Sequence, residues 1–90
     1  MLNIHYKVEG RNYEGFMLDI SPAGAFIETD EPFNAGQQID LTFSLPNRPG
    51  QLKISGEILW KGMLGIGVQF NDLAQDQIEL IKTYMKEEET

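Results

Sequence analysis

The sequence predicts an all-β chain closed by one C-terminal helix, a small antiparallel barrel or sandwich. Three observations carry this expectation. Apolar and polar residues alternate with a two-residue period until about residue 70, turn signals recur between short runs, and the period then changes to helical spacing. A chain of 90 residues builds one modest core, so a single domain is expected over 1–90, with strands over about 2–70 and the helix over about 73–86.

Leu2, Ile4, Tyr6 and Val8 share one side of a first strand, and Asn3, His5, Lys7 and Glu9 the other. "EGRN" supplies a hairpin turn, and a second strand runs from about Tyr13 to Ile20. A third, short strand covers "AFIET", and "DEPFNAG" is a loop because Pro32 and Gly36 bracket it and Asn34 tolerates turn geometry. In "QQIDLTFSL", Ile39, Leu41, Phe43 and Leu45 alternate with Gln38, Asp40, Thr42 and Ser44, which fixes the buried face of a fourth strand. "PNRPG" turns the chain. Leu52, Ile54, Gly56, Ile58 and Trp60 then alternate with Lys53, Ser55, Glu57, Leu59 and Lys61, and after "GML" the run Ile66, Val68, Phe70 alternates with Gly65, Gly67 and Gln69. On this count the aromatic side chains of Tyr6, Phe43, Trp60 and Phe70 belong to the core.

Leu73, Ile78, Leu80, Ile81, Tyr84 and Met85 recur at helical spacing, uninterrupted by Gly or Pro. Asp72 with Gln75 three residues on forms a capping-box-like start. Glu87, Glu88 and Glu89 oppose the helix dipole, so the helix is expected to end by about Lys86 and the tail "KEEET" to fray.

Fourteen acidic residues against seven Lys and Arg leave a net charge of −7, a field that repels nucleic acid and anionic membranes. Neither DNA nor RNA is therefore expected as a partner, nor a membrane. The longest apolar runs fall well short of the ~20 residues that cross a bilayer, "MLNIHYKVEG" carries no signal-peptide core, and a cytoplasmic location is the default. No Cys is present, and the one imidazole, His5, sits on the polar face of a strand. Ser21 has no base to activate it, and the scattered carboxylates match no metal-ligand spacing. "GMLGIG" lacks the spacing of a phosphate cradle, and small residues in a barrel strand account for it. The expectation is a non-catalytic protein without cofactor.

"DISPAG" stands out. It places a carboxylate, a hydroxyl and a glycine at the spacing Asp-x-Ser-x-x-Gly, as Asp19, Ser21 and Gly24. One reading is a structural turn in which Asp19 and Ser21 bond nearby backbone, Pro22 fixes φ and Gly24 permits the reversal. The other is a binding corner, with an acceptor, a donor and a glycine that admits close approach. Phe26 and Phe33 flank it, either as exposed contacts for a protein partner or, for the loop residue, as an apolar group tucked over the barrel end.

The motif resembles the Asp/Asn-x-Ser-x-x-Gly signature of the PilZ domain family. "DISPAGAFIETDEPFNAGQQIDLTFSLP", "ISGEILW", "GIGVQF" and "NDLAQDQIELIKTYM" are similar in order to that family's strands and closing helix. The resemblance implies a six-stranded antiparallel β-barrel with one C-terminal α-helix, a bacterial module of cyclic di-GMP signalling. It further implies that Asp19 and Ser21 hydrogen-bond the guanine edge and neighbouring ligand atoms, with Gly24 allowing close approach. The family's other half-site is an Arg-x-x-x-Arg segment ahead of the first strand, which pairs with phosphates and stacks on guanines. That segment is missing from its place here. Lys7 and Arg11 in "KVEGR" have the interval but fall in the first hairpin. Charge-assisted hydrogen bonds contribute ~1.5–3 kcal/mol each, so without two arginines nucleotide affinity is expected to fall by about three or more orders of magnitude. Two functions follow as expectations: a cyclic di-GMP module with a retained half-site and weak or absent binding, or a nucleotide-independent protein–protein adaptor.

Overall fold

The computed structural model describes residues 1–88. Six strands, β1 (Leu2–Val8), β2 (Arg11–Ile20), β3 (Gly24–Glu28), β4 (Gln38–Phe43), β5 (Leu52–Lys61) and β6 (Gly65–Phe70), precede one helix, α1 (Gln75–Glu88). All neighbours are antiparallel, and the strands close in the order β1-β2-β3-β6-β5-β4, with β4 returning to β1. The sequence left a barrel and a sandwich open on periodicity; the β1–β4 ladder, pairing Ile4 with Phe43 and Lys7 with Asp40, makes it a barrel. Closure leaves no free sheet edge.

The alternation holds where it was clearest. β1 alternates buried and exposed residues along its whole length, and the Ile39, Leu41, Phe43 and Leu45 side chains are buried as read. The first hairpin is a two-residue turn in which Glu9 (φ 50°) and Gly10 (φ 80°) are both left-handed, the geometry that matches the twist of paired strands.

The period breaks at two places. Between Met17 and Asp19 the β2–β3 register shifts by one residue, and between Ile58 and Trp60 the β5–β6 register does the same. Each extra residue, Leu18 and Leu59, leaves two consecutive side chains outside: Leu18 with Asp19, and Leu59 with Trp60. Trp60, assigned to the core by simple alternation, is therefore half exposed at 50%. A β-bulge adds one residue to a strand and re-aims everything beyond it.

Helix α1 packs Ile81 and Tyr84 onto the barrel, and Gln77 Nε2 donates to the Lys53 carbonyl oxygen at 3.2 Å. Its start differs from the expected one. Asp72 takes a left-handed φ of 47°, and the cap falls at Ala74, whose carbonyl accepts the Ile78 N–H and whose own N–H donates to Gln77 Oε1 at 3.0 Å. The glutamine three residues on thus supplies the reciprocal half of a capping box, two residues later than the sequence suggested. The helix also continues past Lys86. Arg48 pairs with Glu87 at 3.0 Å, and Tyr84 Oη donates to Glu88 Oε1 at 2.8 Å, so both acids of the last turn have local partners that offset the dipole. Glu89 and Thr90, expected to fray, lie outside the described residues.

Burial and the bond to Glu88 push the Tyr84 phenol from 10.0 up to about 12. The folded state therefore favours the protonated phenol. Its contribution to stability is intact below about pH 10 and is lost as pH rises through about 12. Thermal denaturation between pH 9 and 12 is expected to show a decline that Tyr84→Phe flattens by on the order of 2 kcal/mol; identical slopes for both proteins would refute this.

Candidate functional site

The turn reading of "DISPAG" holds for Ser21, not for the Asp19 side chain, which makes no bond to nearby backbone. Ser21 N–H donates to the Gly24 carbonyl at 2.9 Å, Gly24 N–H donates to the Ser21 carbonyl at 3.2 Å, and Pro22 and Ala23 form the corner between β2 and β3. Ser21 Oγ accepts the Ala23 N–H at 3.2 Å, which leaves its O–H to donate elsewhere. Gly24 has an ordinary φ; the close approach it permits is that of β6, because a Cβ there would collide with the Val68 carbonyl oxygen.

The β2 bulge decides where Asp19 points. Met17 and Ile20 are buried, so an unbroken period would send the carboxylate of residue 19 into the core beside Met17. With Leu18 inserted, Asp19 is on the outer face, its side chain exposed and its carboxylate hydrogen-bonded to no side chain or backbone group of the described residues. Asp19 pairs with Phe26, Phe26 with Gly67, and Gly67 with Trp60, so these four residues form one row across β2, β3, β6 and β5.

Within that row Phe26 and Trp60 stack, with ring centroids 5.5 Å apart and planes inclined by 27°. Gly67 makes this possible. A Cβ on it would strike the indole, so the Trp60 ring lies flat over β6 and reaches Phe26. Asp19, Ser21, Phe26, Leu59, Trp60 and Gln69 line an open cleft of about 330 Å³. Its chemistry is a carboxylate acceptor, a hydroxyl donor and an aromatic platform. No Lys or Arg is among the described residues that line it.

Sequence reasoning therefore brought Asp19, Ser21, Gly24 and Phe26 to one place and missed Trp60 and Gly67. The available signal was a tryptophan in one strand and outward-facing glycines in the next, a combination that leaves room for a ring lying across the sheet. Phe33 is not part of this surface. It is 5% exposed, its ring set edge-on to Tyr13 at 5.1 Å and to Tyr6 at 6.1 Å, so the loop "DEPFNAG" tucks it over the barrel end. Phe33 as an exposed partner contact is thereby corrected to a core residue.

No helix among the described residues is long and apolar enough to cross a membrane. Exposed apolar side chains also stand around the β5–β6 turn, where Phe16 (42%), Met63 (99%) and Leu64 (71%) line one shallow cleft with Glu28.

No curated protein matches the chain. The family model described as the PilZ domain matches residues 1–87, which takes in all six strands and nearly all of α1. With the Asp-x-Ser-x-x-Gly corner on the outside of a closed six-stranded barrel and that match spanning almost its full length, the chain belongs to the PilZ domain family.

Proposed function

We propose that the protein is a non-catalytic regulatory module of cyclic di-GMP signalling in which Asp19 and Ser21 form a retained half-site for the nucleotide. The observation that carries this reading is the exposed Asp19 carboxylate beside Ser21 and the Phe26–Trp60 stack in one cleft. A carboxylate accepts the two N–H donors of a guanine edge, a free O–H donates to a neighbouring acceptor, and an indole face stacks a purine. The cleft supplies no cation to neutralise the two phosphates. Binding by this chain is accordingly weak, by about three orders of magnitude relative to a site with two arginine clamps.

The single Trp makes the test direct. Titration with cyclic di-GMP, followed by calorimetry and Trp60 fluorescence, is expected to give no saturation at micromolar nucleotide and weak quenching at millimolar levels. Asp19→Ala and Trp60→Ala should each remove the residual signal. Tight stoichiometric binding that Asp19→Ala abolishes would overturn the weak-binding clause, and nucleotide binding indifferent to Asp19 would overturn the site itself.

The exposed apolar side chains favour a second reading, a protein–protein adaptor on the same scaffold. Met63 and Leu64 contribute nothing to the core, and surface of this kind marks contact sites.

A further inference from the structure

We propose that the barrel surface around the β5–β6 turn, where Phe16, Met63 and Leu64 stand exposed among carboxylates, docks a basic amphipathic segment of a partner protein. The proposal rests on the adaptor reading and names its surface and the chemistry of its partner.

The turn itself asks for nothing apolar. Gly62 N–H donates to the Gly65 carbonyl at 2.8 Å, closing a two-residue corner made of Met63 and Leu64. Tight corners are built by Gly, Asn, Asp, Ser and Pro, each for a backbone reason that neither of these residues supplies. Leu64 serves the fold through its backbone, since its carbonyl accepts the Thr29 N–H at 3.2 Å. Its side chain, 71% exposed, and that of Met63, 99% exposed, gain nothing in water. Phe16 joins them on the outer face through its pairing with Glu28, which in turn pairs with Gly65 at the foot of the turn.

Charge selects the partner. The three apolar side chains share a shallow cleft of about 490 Å³ with Glu14, Glu28, Asp30 and Glu31, and no Lys, Arg or His is among its described lining. Nucleic acid and anionic lipid are repelled by this rim, and a second copy of a chain carrying −7 brings like charge to like. A segment that alternates large apolar residues with Lys or Arg satisfies both features at once. Because the barrel is closed, that segment docks through side chains and not by adding a strand. None of these residues lines the Asp19–Ser21 cleft, so the surface works independently of the nucleotide half-site.

The test uses the whole chain and two synthetic peptides, one alternating Lys or Arg with Leu or Phe, the other with Asp and Glu in the cationic positions. Amide shifts are followed by NMR. The basic peptide is expected to move the Phe16, Glu28 and Leu64 resonances and the acidic one to move nothing. Affinity should fall about tenfold in a variant with Met63→Ser and Leu64→Ser, polar replacements of two exposed side chains at positions without a left-handed φ, which keep the fold. It should also fall on raising salt from about 50 to about 500 mM, and stay unchanged in Asp19→Ala. Basic-peptide shifts that map to Leu59 and Trp60 would overturn this surface while leaving the adaptor reading standing; no binding anywhere would overturn both. A homodimer that Leu64→Asp dissociates, or capture by neutral phospholipid vesicles, would overturn the choice of partner.

Discussion

Phe33→Ala is expected to lower the free energy of unfolding by about 3–5 kcal/mol, because it empties a filled position where a loop residue seals the barrel. The Phe33 ring meets Tyr13 edge-on at 5.1 Å and 87°, and Tyr6 at 6.1 Å and 70°, while Tyr6 and Tyr13 stack on each other at 5.3 Å. Removing one ring of three leaves the other two facing a void, so the lost transfer energy and the lost aromatic contacts act together. A domain of this size has only about 5–15 kcal/mol in total, and the midpoint of thermal unfolding should drop by roughly 15 °C or more. Phe26→Ala is the control. Its ring is partly exposed and stacked on a half-exposed Trp60, so its loss should cost less than about 1.5 kcal/mol. Chemical denaturation of both variants separates a core role from a surface one. Equal stabilities would mean that the loop is held by its backbone bonds alone, such as Phe33 N–H to the Glu31 carbonyl at 2.8 Å.

The contrast between these two phenylalanines shows what a sequence discloses in this fold. Strand identity and facing were legible wherever the two-residue period ran unbroken, as in β1 and β4, because one buried face fixes the register of the whole strand. The signature corner was legible because Asp19, Ser21 and Gly24 are close in sequence and the turn between β2 and β3 is local. Trp60 was misplaced because a bulge is written in the pairing of two strands, not in the composition of one. Nothing in "GEILWK" marks Leu59 as the extra residue; only the partners of Ile58 and Trp60, namely Val68 and Gly67, reveal it. Phe33 was ambiguous for a related reason. Its burial depends on Tyr6 and Tyr13, some twenty or more residues earlier in the chain, and on where the loop crosses the barrel mouth. Both bulges serve one result. Without the first, Asp19 would face inward, and without the second Trp60 would, so the cleft exists because two strands each break their period beside the β3–β6 pair.

That central pair is where the smallest substitution should do the greatest harm. Gly24→Ala is expected to destabilise the protein by about 3 kcal/mol or more, for the addition of a single methyl group. Its Cβ would collide with the Val68 carbonyl oxygen and crowd the Val68 carbonyl carbon at 3.1 Å and Gln69 Cα at 3.3 Å. All three are backbone atoms, so no side-chain rotation relieves the clash and β3 must move away from β6. β3 has five residues and joins β2 to β6, so separating it opens the barrel on one side. Gly10→Ala provides the comparison: Gly10 has φ 80° with no atom within 4 Å of the added carbon, and the backbone strain alone should cost about 1 kcal/mol. The site should report the difference. Phe26 and Gly67 pair across the same β3–β6 ladder, and the indole of Trp60 lies on Gly67, so parting the strands in Gly24→Ala frees that ring. Folded Gly24→Ala is therefore expected to show red-shifted Trp60 fluorescence, whereas Gly10→Ala keeps the wild-type spectrum. Wild-type stability together with an unshifted spectrum in Gly24→Ala would mean that the β3–β6 approach is looser than the Gly24–Val68 geometry requires, and that the row from Asp19 to Trp60 does not depend on it.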